Sequence, residues 1–315
     1  MVASDNKAVA SHVPVLMHEA VDFLAPIAQG KYVDATYGRG GHSGYLLSRL
    51  GEAGQLLALD RDPEAVADAH ERFAGESRFS ICQANFADMR DVLQKQGWLG
   101  EVDGLLMDLG VSSPQLDVAE RGFGFSRDGE LDMRMDPTSG VSAAQWLAGV
   151  DEGELVQVLR EYGEERYARR IAGAIIAARA VEPILRTGQL AEIVKAAHPR
   201  WERHHHPATR SFQAIRIRIN GELDAVSQAL STAVDVLRIG GRLAVISFHS
   251  LEDRLVKRAL RSPVPDARIP RHLPQPAVDT HPWKLVGKAI KAGKDELADN
   301  PRARSAVLRV AERVA

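Results

Sequence analysis

Apolar positions in the first third of the chain fall into short, nearly continuous runs separated by longer amphipathic stretches. Runs ending at Asp34, Asp60, Cys82 and Asp108 predict four strands, the last three spanning Leu56–Asp60, Arg78–Cys82 and Val102–Asp108. Such runs suit strands covered on both faces. Between them the spacing predicts helices: Leu16–Leu24, a segment through Leu46, Leu47 and Leu50, Pro63–Phe73, and Asp88–Gln96. Proline suits a first helical turn. The alternation predicts an α/β fold, a doubly wound parallel sheet with helices on both faces and ligands at the carboxyl ends of its strands. Asp34, Asp60, Phe86 and Asp108 fall at those ends, so four separately placed residues converge on one crevice.

After Asp108 the rhythm breaks. Residues 110–140 are rich in Gly, Pro, Ser and Asp without a sustained period, and so long a loop in a compact domain is usually functional. Helical spacing resumes at Ala143–Leu147, Glu152–Tyr162, Glu165–Arg179 (apolar face Ile171, Ile175, Ala178) and Thr187–Ala197. The alternating run from Ala214 to Ile219 lies between Phe212 and a helix expected at Glu222–Leu237. It is therefore expected to be helical, with Arg216 and Arg218 free to lie on different faces. Gly240-Gly241 is expected to close the second helix, and Arg242–Phe248 to form the fifth strand. Residues 263–300 look loop-like, and Ser305–Ala311 is expected to return to the sheet as a last strand. The expected organisation is a discontinuous sheet domain, 1–110 plus 211–315, interrupted by a helical substrate-recognition insertion, 111–210. Residues 1–12 look disordered.

Between the first strand and its helix, Gly38, Gly40, Gly41 and Gly44 crowd one turn. Strand, glycine loop and helix is how a Rossmann-like domain begins, because glycine lets backbone approach a nucleotide where a Cβ would clash. Asp60, at the tip of the second strand, is placed to accept hydrogen bonds from both ribose hydroxyls of an adenosine-bearing cofactor.

Composition changes this picture little. The lone Cys82 cannot form an internal disulfide and is expected to be a small buried hydrophobe. No basic-then-apolar leader and no membrane-length apolar run is visible, which predicts a cytoplasmic protein with no membrane partner. The net charge of −2 hides an asymmetry: residues 1–110 carry −7, residues 111–253 carry −3 and residues 254–315 carry +8. A basic end on an acidic body suits an anionic partner such as nucleic acid, and equally a solvated tail.

Two cofactor classes compete. A dinucleotide dehydrogenase needs a second mononucleotide half and a hydride-handling site, and neither is evident. An S-adenosylmethionine methyltransferase needs one adenosine site and a substrate-facing motif after the fourth strand, where this chain has Asp108-Leu-Gly-Val-Ser-Ser-Pro-Gln115. An exocyclic base amine is a poor nucleophile, its lone pair delocalised into the ring. Acceptors that bond its N–H groups hold the nitrogen toward the methyl donor. Asp108, Ser113 and Pro114 are the candidates for that role. Amino-methyltransferases often carry polar-Pro-Pro-aromatic here; Ser113-Pro114-Gln115-Leu116 keeps only the first half. Phe123 and Phe125 could stack on a base, although a core role is favoured for both.

These residues sit within longer runs: Asp34–Ser43, Leu59–Pro63, Asp108–Asp117, Glu120–Phe125, Leu131–Asp136, Tyr162–Arg166, His206–Arg210, Ser247–Arg254 and Asn300–Ser305. Together, from about His12 to Arg313, the sequence resembles the bacterial 16S rRNA (cytosine-N(4))-methyltransferase family. The resemblance implies a class I methyltransferase sheet that moves a methyl group from S-adenosylmethionine to the exocyclic amine of one cytidine in the decoding centre of small-subunit rRNA. It also implies cofactor contacts at Gly40, Gly41, His42, Asp60, Phe86, Asp108 and Gln115; His42 and Gln115 are added by the resemblance alone. The departures lie in linkers, notably Trp201–His205.

Arg200, Arg203, His206 and Arg210 are candidate RNA contacts, since arginine forks suit phosphate oxygens. A metal held by His204, His205 and His206 is disfavoured: adjacent histidines in a loop splay apart and no cysteine joins them. The stretch His249–Arg254 either lines the substrate side of the crevice or caps the next helix. A Ser/His/Asp hydrolase lacks its Gly-x-Ser-x-Gly elbow. The competing class is a non-catalytic rRNA-binding assembly factor with a vestigial pocket, which would not bind the methyl donor. Whether the chain forms a homodimer is left open by the sequence.

Overall fold

The computed structural model describes residues 14–200, 206–261 and 281–315. Seven strands, β1 (Lys31–Asp34), β2 (Gln55–Asp60), β3 (Phe79–Gln83), β4 (Val102–Asp108), β5 (Leu237–Ser247), β6 (Trp283–Leu285) and β7 (Val307–Arg313), form one sheet in the order β3-β2-β1-β4-β5-β7-β6. The first five are parallel, while β7 runs antiparallel to both β5 and β6. Strand order reverses between β1 and β4, which opens a crevice at their carboxyl ends.

Helices α1 (Met17–Phe23), α2 (Gly41–Ser48), α3 (Pro63–Arg72) and α4 (Met89–Gln96) flank the first strands. Alternation along β2 and β4 splits their side chains between two cores. Leu57, Leu59, Leu105 and Met107 join one cluster with Met89 and Leu93 of α4. Leu56 and Leu106 join the other with Val21 of α1 and Leu46 of α2. Both faces of the sheet are thus covered, as the continuous apolar runs predicted. Cys82 is partly buried against the first cluster.

Beyond β4 come α5 (Ser113–Asp117), α6 (Ala143–Gly149), α7 (Glu152–Glu161), α8 (Ala168–Val181), α9 (Thr187–Ala197), α10 (Ala208–Asn220) and α11 (Glu222–Val236). Residues from Leu131 to Ile215 build a hydrophobic cluster of their own, with Leu147, Leu155, Ile171, Ile175 and Leu190 inside it. Helix α12 (Ser250–Ala259) follows β5, and α13 (Lys294–Asp299) precedes β7.

Several boundaries differ from expectation. The helix expected from Glu165 begins at Ala168, because Glu164 holds a positive φ of 48° and the Glu165 carboxylate accepts the Tyr167 N–H at 2.8 Å. Gly240-Gly241 does not close a helix: α11 ends at Val236, and β5 runs through both glycines where its register with β4 shifts. A Cβ on Gly241 would sit 2.8 Å from the Val102 carbonyl oxygen, so the glycine admits the close strand approach. Strand β6 was not anticipated; three residues are too few to show a period. The last strand starts at Val307, after a 3-10 turn over Pro301–Ser305. Residues 1–12 and 263–280 lie outside the described residues. No helix among the described residues is long and apolar enough to cross a membrane.

Candidate active site

Four strand ends meet at the crevice. Asp34, fully buried at the end of β1, accepts the Ser43 hydroxyl at 2.7 Å and the Thr36 N–H at 3.2 Å. Thr36 Oγ1 in turn accepts the Asp108 N–H at 2.6 Å, which joins the ends of β1 and β4 to α2. Burial pushes the Asp34 carboxyl up to about 6, its hydrogen bonds only partly opposing the shift.

The glycine turn is bolted to β2. Tyr37 N–H bonds the Leu59 carbonyl at 2.9 Å and Gly38 N–H bonds Asp60 Oδ2 at 2.8 Å. Gly38 and Gly40 have φ of +58° and +66°, and Gly40 is the residue before α2. A Cβ on Gly41 would stand 2.0 Å from the Pro14 ring, so glycine lets the segment before α1 close over the turn. Asp60 Oδ1 accepts the Asp62 N–H at 2.9 Å; each oxygen keeps a lone pair for a hydroxyl donor. Burial raises Asp60 to about 6, with the charges of Asp62 and Asp34 adding to it.

His42, in the first turn of α2, is buried, with Nε2 3.2 Å from the Val15 carbonyl oxygen. A carbonyl only accepts, so Nε2 carries the proton and the Nδ1 lone pair faces Asp108 Oδ2 at 3.7 Å. Burial lowers His42 to about 4. Asp108 is driven well above the ordinary carboxylate range, first by burial and then by the charges of Asp34 and Glu252. Its Oδ1 is buried without a partner among the described residues, an orphaned acceptor at the carboxyl end of β4.

Gln115 is buried and engaged at both ends of its amide: Oε1 accepts the Ser112 N–H at 3.0 Å and Nε2 donates to Asp62 Oδ2 at 2.9 Å. Ser112, not Ser113, caps α5, so Ser113 and Pro114 form a first helical turn instead of an open loop. Phe86 opens a 3-10 turn after β3, fixed by the Asn85 side chain, and packs partly buried against the sheet core. Phe123 is buried, and Phe125 packs on the insertion cluster with its ring 4.6 Å from that of His206, in line with the core role favoured for both.

Sequence reasoning missed the residues that hold these parts together. Asp62 caps α3 through the Glu64 N–H and takes Gln115 and Arg121 on its other oxygen, Arg121 Nη1 lying 2.8 Å away. Arg121 also donates to the Met135 carbonyl at 2.9 Å. Asn220 bonds Met135 N–H and Met133 carbonyl, both at 2.8 Å. The runs around Asp62 and Arg121 were visible, but which oxygen meets which guanidinium was not. Among the RNA candidates, Arg200 is exposed, His206 and Arg210 line a cavity, and Arg203 lies outside the described residues, as do His204 and His205 of the disfavoured metal reading. His249 turns out to be a helix cap: its ring accepts the Glu252 N–H while Glu252 bonds back to the His249 N–H. Arg216 pairs with Glu222 and Arg218 with Glu154, on different faces as expected.

Sheet order, the single nucleotide half and the crevice residues define a Rossmann-like class I methyltransferase that uses S-adenosylmethionine. The residues fit that group: glycine backbone for close approach, a carboxylate at the end of β2, and an orphaned acceptor at the end of β4. The family model described as the MraW methylase family matches residues 9–314, and the chain belongs to that family. It is 57% identical over 312 residues to a protein of Thioalkalivibrio sulfidiphilus named ribosomal RNA small subunit methyltransferase H, covering 98% of this chain and 99% of the other. The protein of that name from Nitrosococcus oceani is 54% identical over 311 residues, again covering 98% and 99%. The chain is an enzyme, a methyltransferase.

Proposed function

We propose that the chain transfers a methyl group to the exocyclic N4 of one cytidine in the decoding centre of 16S rRNA, in the cytoplasm. The observation that carries this is the unpartnered Oδ1 of Asp108, beside the Ser112-Ser113-Pro114 turn. The small-subunit rRNA named in its relatives at 54–57% identity supports the substrate.

When bound, S-adenosylmethionine supplies an electrophilic methyl group. Gly40 and Gly41 give backbone approach, Asp60 accepts the ribose hydroxyls, Phe86 walls the adenine side, and His42, Asp108 and Gln115 shape the floor. Asp108 and the Ser113-Pro114 turn hold the amine by its N–H groups for in-line attack. No strong base is required, because the amine proton becomes acidic once nitrogen is methylated. The domain division proposed is 1–110 plus 211–315 for the methyl donor and 111–210 for RNA, with Arg200, Arg203, His206 and Arg210 on the substrate side. The separate cluster built from residues Leu131 to Ile215 supports a division of this kind, although Phe212, Ala214 and Ile215, beyond the 210/211 boundary, pack in it too.

The test is methylation of small ribosomal subunits with labelled donor, followed by mapping of the modified base. Label on N4 of a single cytidine is expected; label on a ring carbon or on protein overturns the reading.

A further inference from the structure

Away from the strand ends, the bend between α7 and α8 and the start of α10 enclose a cavity of about 210 Å³. Glu165, His198, His206, Thr209, Arg210 and Gln213 line it. The Glu165 side chain is only 1% exposed. Its Oε1 is spent on the Tyr167 N–H, but Oε2 is buried without a partner among the described residues. The His198 side chain is 9% exposed, and its Nδ1 is likewise buried without a partner among them. The two side chains do not satisfy each other, since the His198 Nε2 to Glu165 Oε1 separation is 3.8 Å, beyond hydrogen-bond range.

Buried polar atoms without protein partners are uncommon and are met by ordered water or by a ligand. Here they are a carboxylate oxygen, which only accepts, and an imidazole nitrogen, which accepts or donates according to tautomer. An anion suits the exposed Arg210 on the cavity wall but is repelled where the buried Glu165 carboxylate lies, and an apolar group leaves both buried atoms unmet. The edge of a nucleobase matches: an exocyclic amine donates to the carboxylate while the neighbouring ring nitrogen meets the imidazole. One wall is the His206 ring, backed by Phe125 at 4.6 Å and 34° between planes, which suits stacking. The bend that carries Glu165 is also tied to the helix that follows β5. Glu164, next to Glu165, accepts the Ser250 hydroxyl at 2.8 Å and Arg254 at 3.0 Å, at the start of the helix that follows β5.

We propose that this cavity takes an amino-bearing base from a nucleotide of the RNA other than the one methylated, an inference that rests on the rRNA reading above. Glu165 and His198 then act in substrate selection rather than in chemistry, holding the strand so that its neighbour reaches Asp108.

The test is binding of a labelled RNA oligonucleotide of the decoding-centre sequence to the full-length chain, read by fluorescence anisotropy. Each adenosine, guanosine and cytidine is replaced in turn by its counterpart lacking the amine. Wild type should lose about tenfold in affinity at one position besides the target cytidine, the scale of one hydrogen-bonded edge. Glu165→Gln should weaken the parent RNA by a similar factor and show no further loss at that position. Thr209→Phe, at an exposed rim position, fills the cavity without touching the buried carboxylate and should do the same. The absence of any such position, or its persistence in both variants, overturns the proposal. Discrimination without methyl transfer would refute the proposed reaction and leave the cavity's role standing; methyl transfer without discrimination would do the reverse.

Discussion

His42 Nδ1 and Asp108 Oδ2 face each other at 3.7 Å, yet they are not an ion pair. Burial lowers the imidazole to about 4 and raises the carboxyl well above its ordinary range, so each is driven toward its neutral form. The carboxyl group is held in place by β4 with one oxygen unspent. Such a group costs stability and is kept where a ligand will meet it. Asp108→Asn should therefore raise stability, by about 1 kcal/mol, while methyl transfer falls by at least roughly a hundredfold. Urea unfolding and labelled-methyl transfer on the same preparation check both halves.

Burial, which lowers His42, raises Asp60 and gives it a pH dependence of its own. Its carboxyl titrates near 6 in the folded chain, and only the ionised form accepts from both ribose hydroxyls. Affinity for S-adenosylmethionine should hold at pH 7–8 and fall as pH drops through about 6. Asp60→Ala should cost about 2 kcal/mol, roughly thirtyfold in Kd, and flatten the profile. Calorimetric titration from pH 5 to 8 reads this directly.

Stability itself should respond to Asp34. Its folded value of about 6 lies above the ordinary 3.8, so between those values the folded chain binds more protons and stability falls as pH rises. His42, lowered to about 4 from 6.5, acts in the opposite sense over an overlapping window. Asp60, also raised to about 6, and Asp108, raised well above its ordinary value, act with Asp34. Removing the Asp34 titration in Asp34→Asn should therefore make the stability profile between about pH 4 and 6 slope more upward with pH than in wild type. Denaturation midpoints at half-unit pH steps test the sign.

Arg121 bonds Asp62 and the Met135 carbonyl from a site that is nearly closed to solvent. Removing one member of a buried pair leaves the other charge uncompensated, so Arg121→Ala should destabilise by about 3–5 kcal/mol. Gln115 would survive as the only side chain on that Asp62 oxygen. Guanidinium unfolding measures the loss.

Gly41→Ala places a methyl 2.0 Å from the Pro14 ring. Pro14 lies in the segment before α1 and not in the sheet, so the substitution should displace that segment rather than unfold the sheet. The melting temperature should change little while methyl-donor affinity drops about tenfold, because the displaced segment carries the Val15 carbonyl that orients His42. Calorimetry beside a thermal melt separates the two effects.

The sheet was legible in the sequence because its strands are buried on both faces. Continuous apolar runs such as Leu105, Leu106 and Met107 leave no competing helical period, and three of the first four runs stop at an aspartate. Asp34, Asp60 and Asp108 could be placed together from chain order alone, since parallel strands put every carboxyl end on one edge. The three-residue β6 carried too short a signal, and the Gly240-Gly241 pair misled because glycine marks both a helix end and a close strand contact. What only the tertiary structure decided was how polar atoms pair across long separations. Asp62 meets Arg121 and Gln115, Asn220 meets Met133 and Met135, and the second oxygen of Glu165 meets nothing. Hydrophobic pattern fixes which face of an element turns inward; it says nothing about which lone pair is left over once the elements have packed, and both the site's chemistry and the cavity lined by Glu165 and His198 depend on those leftovers.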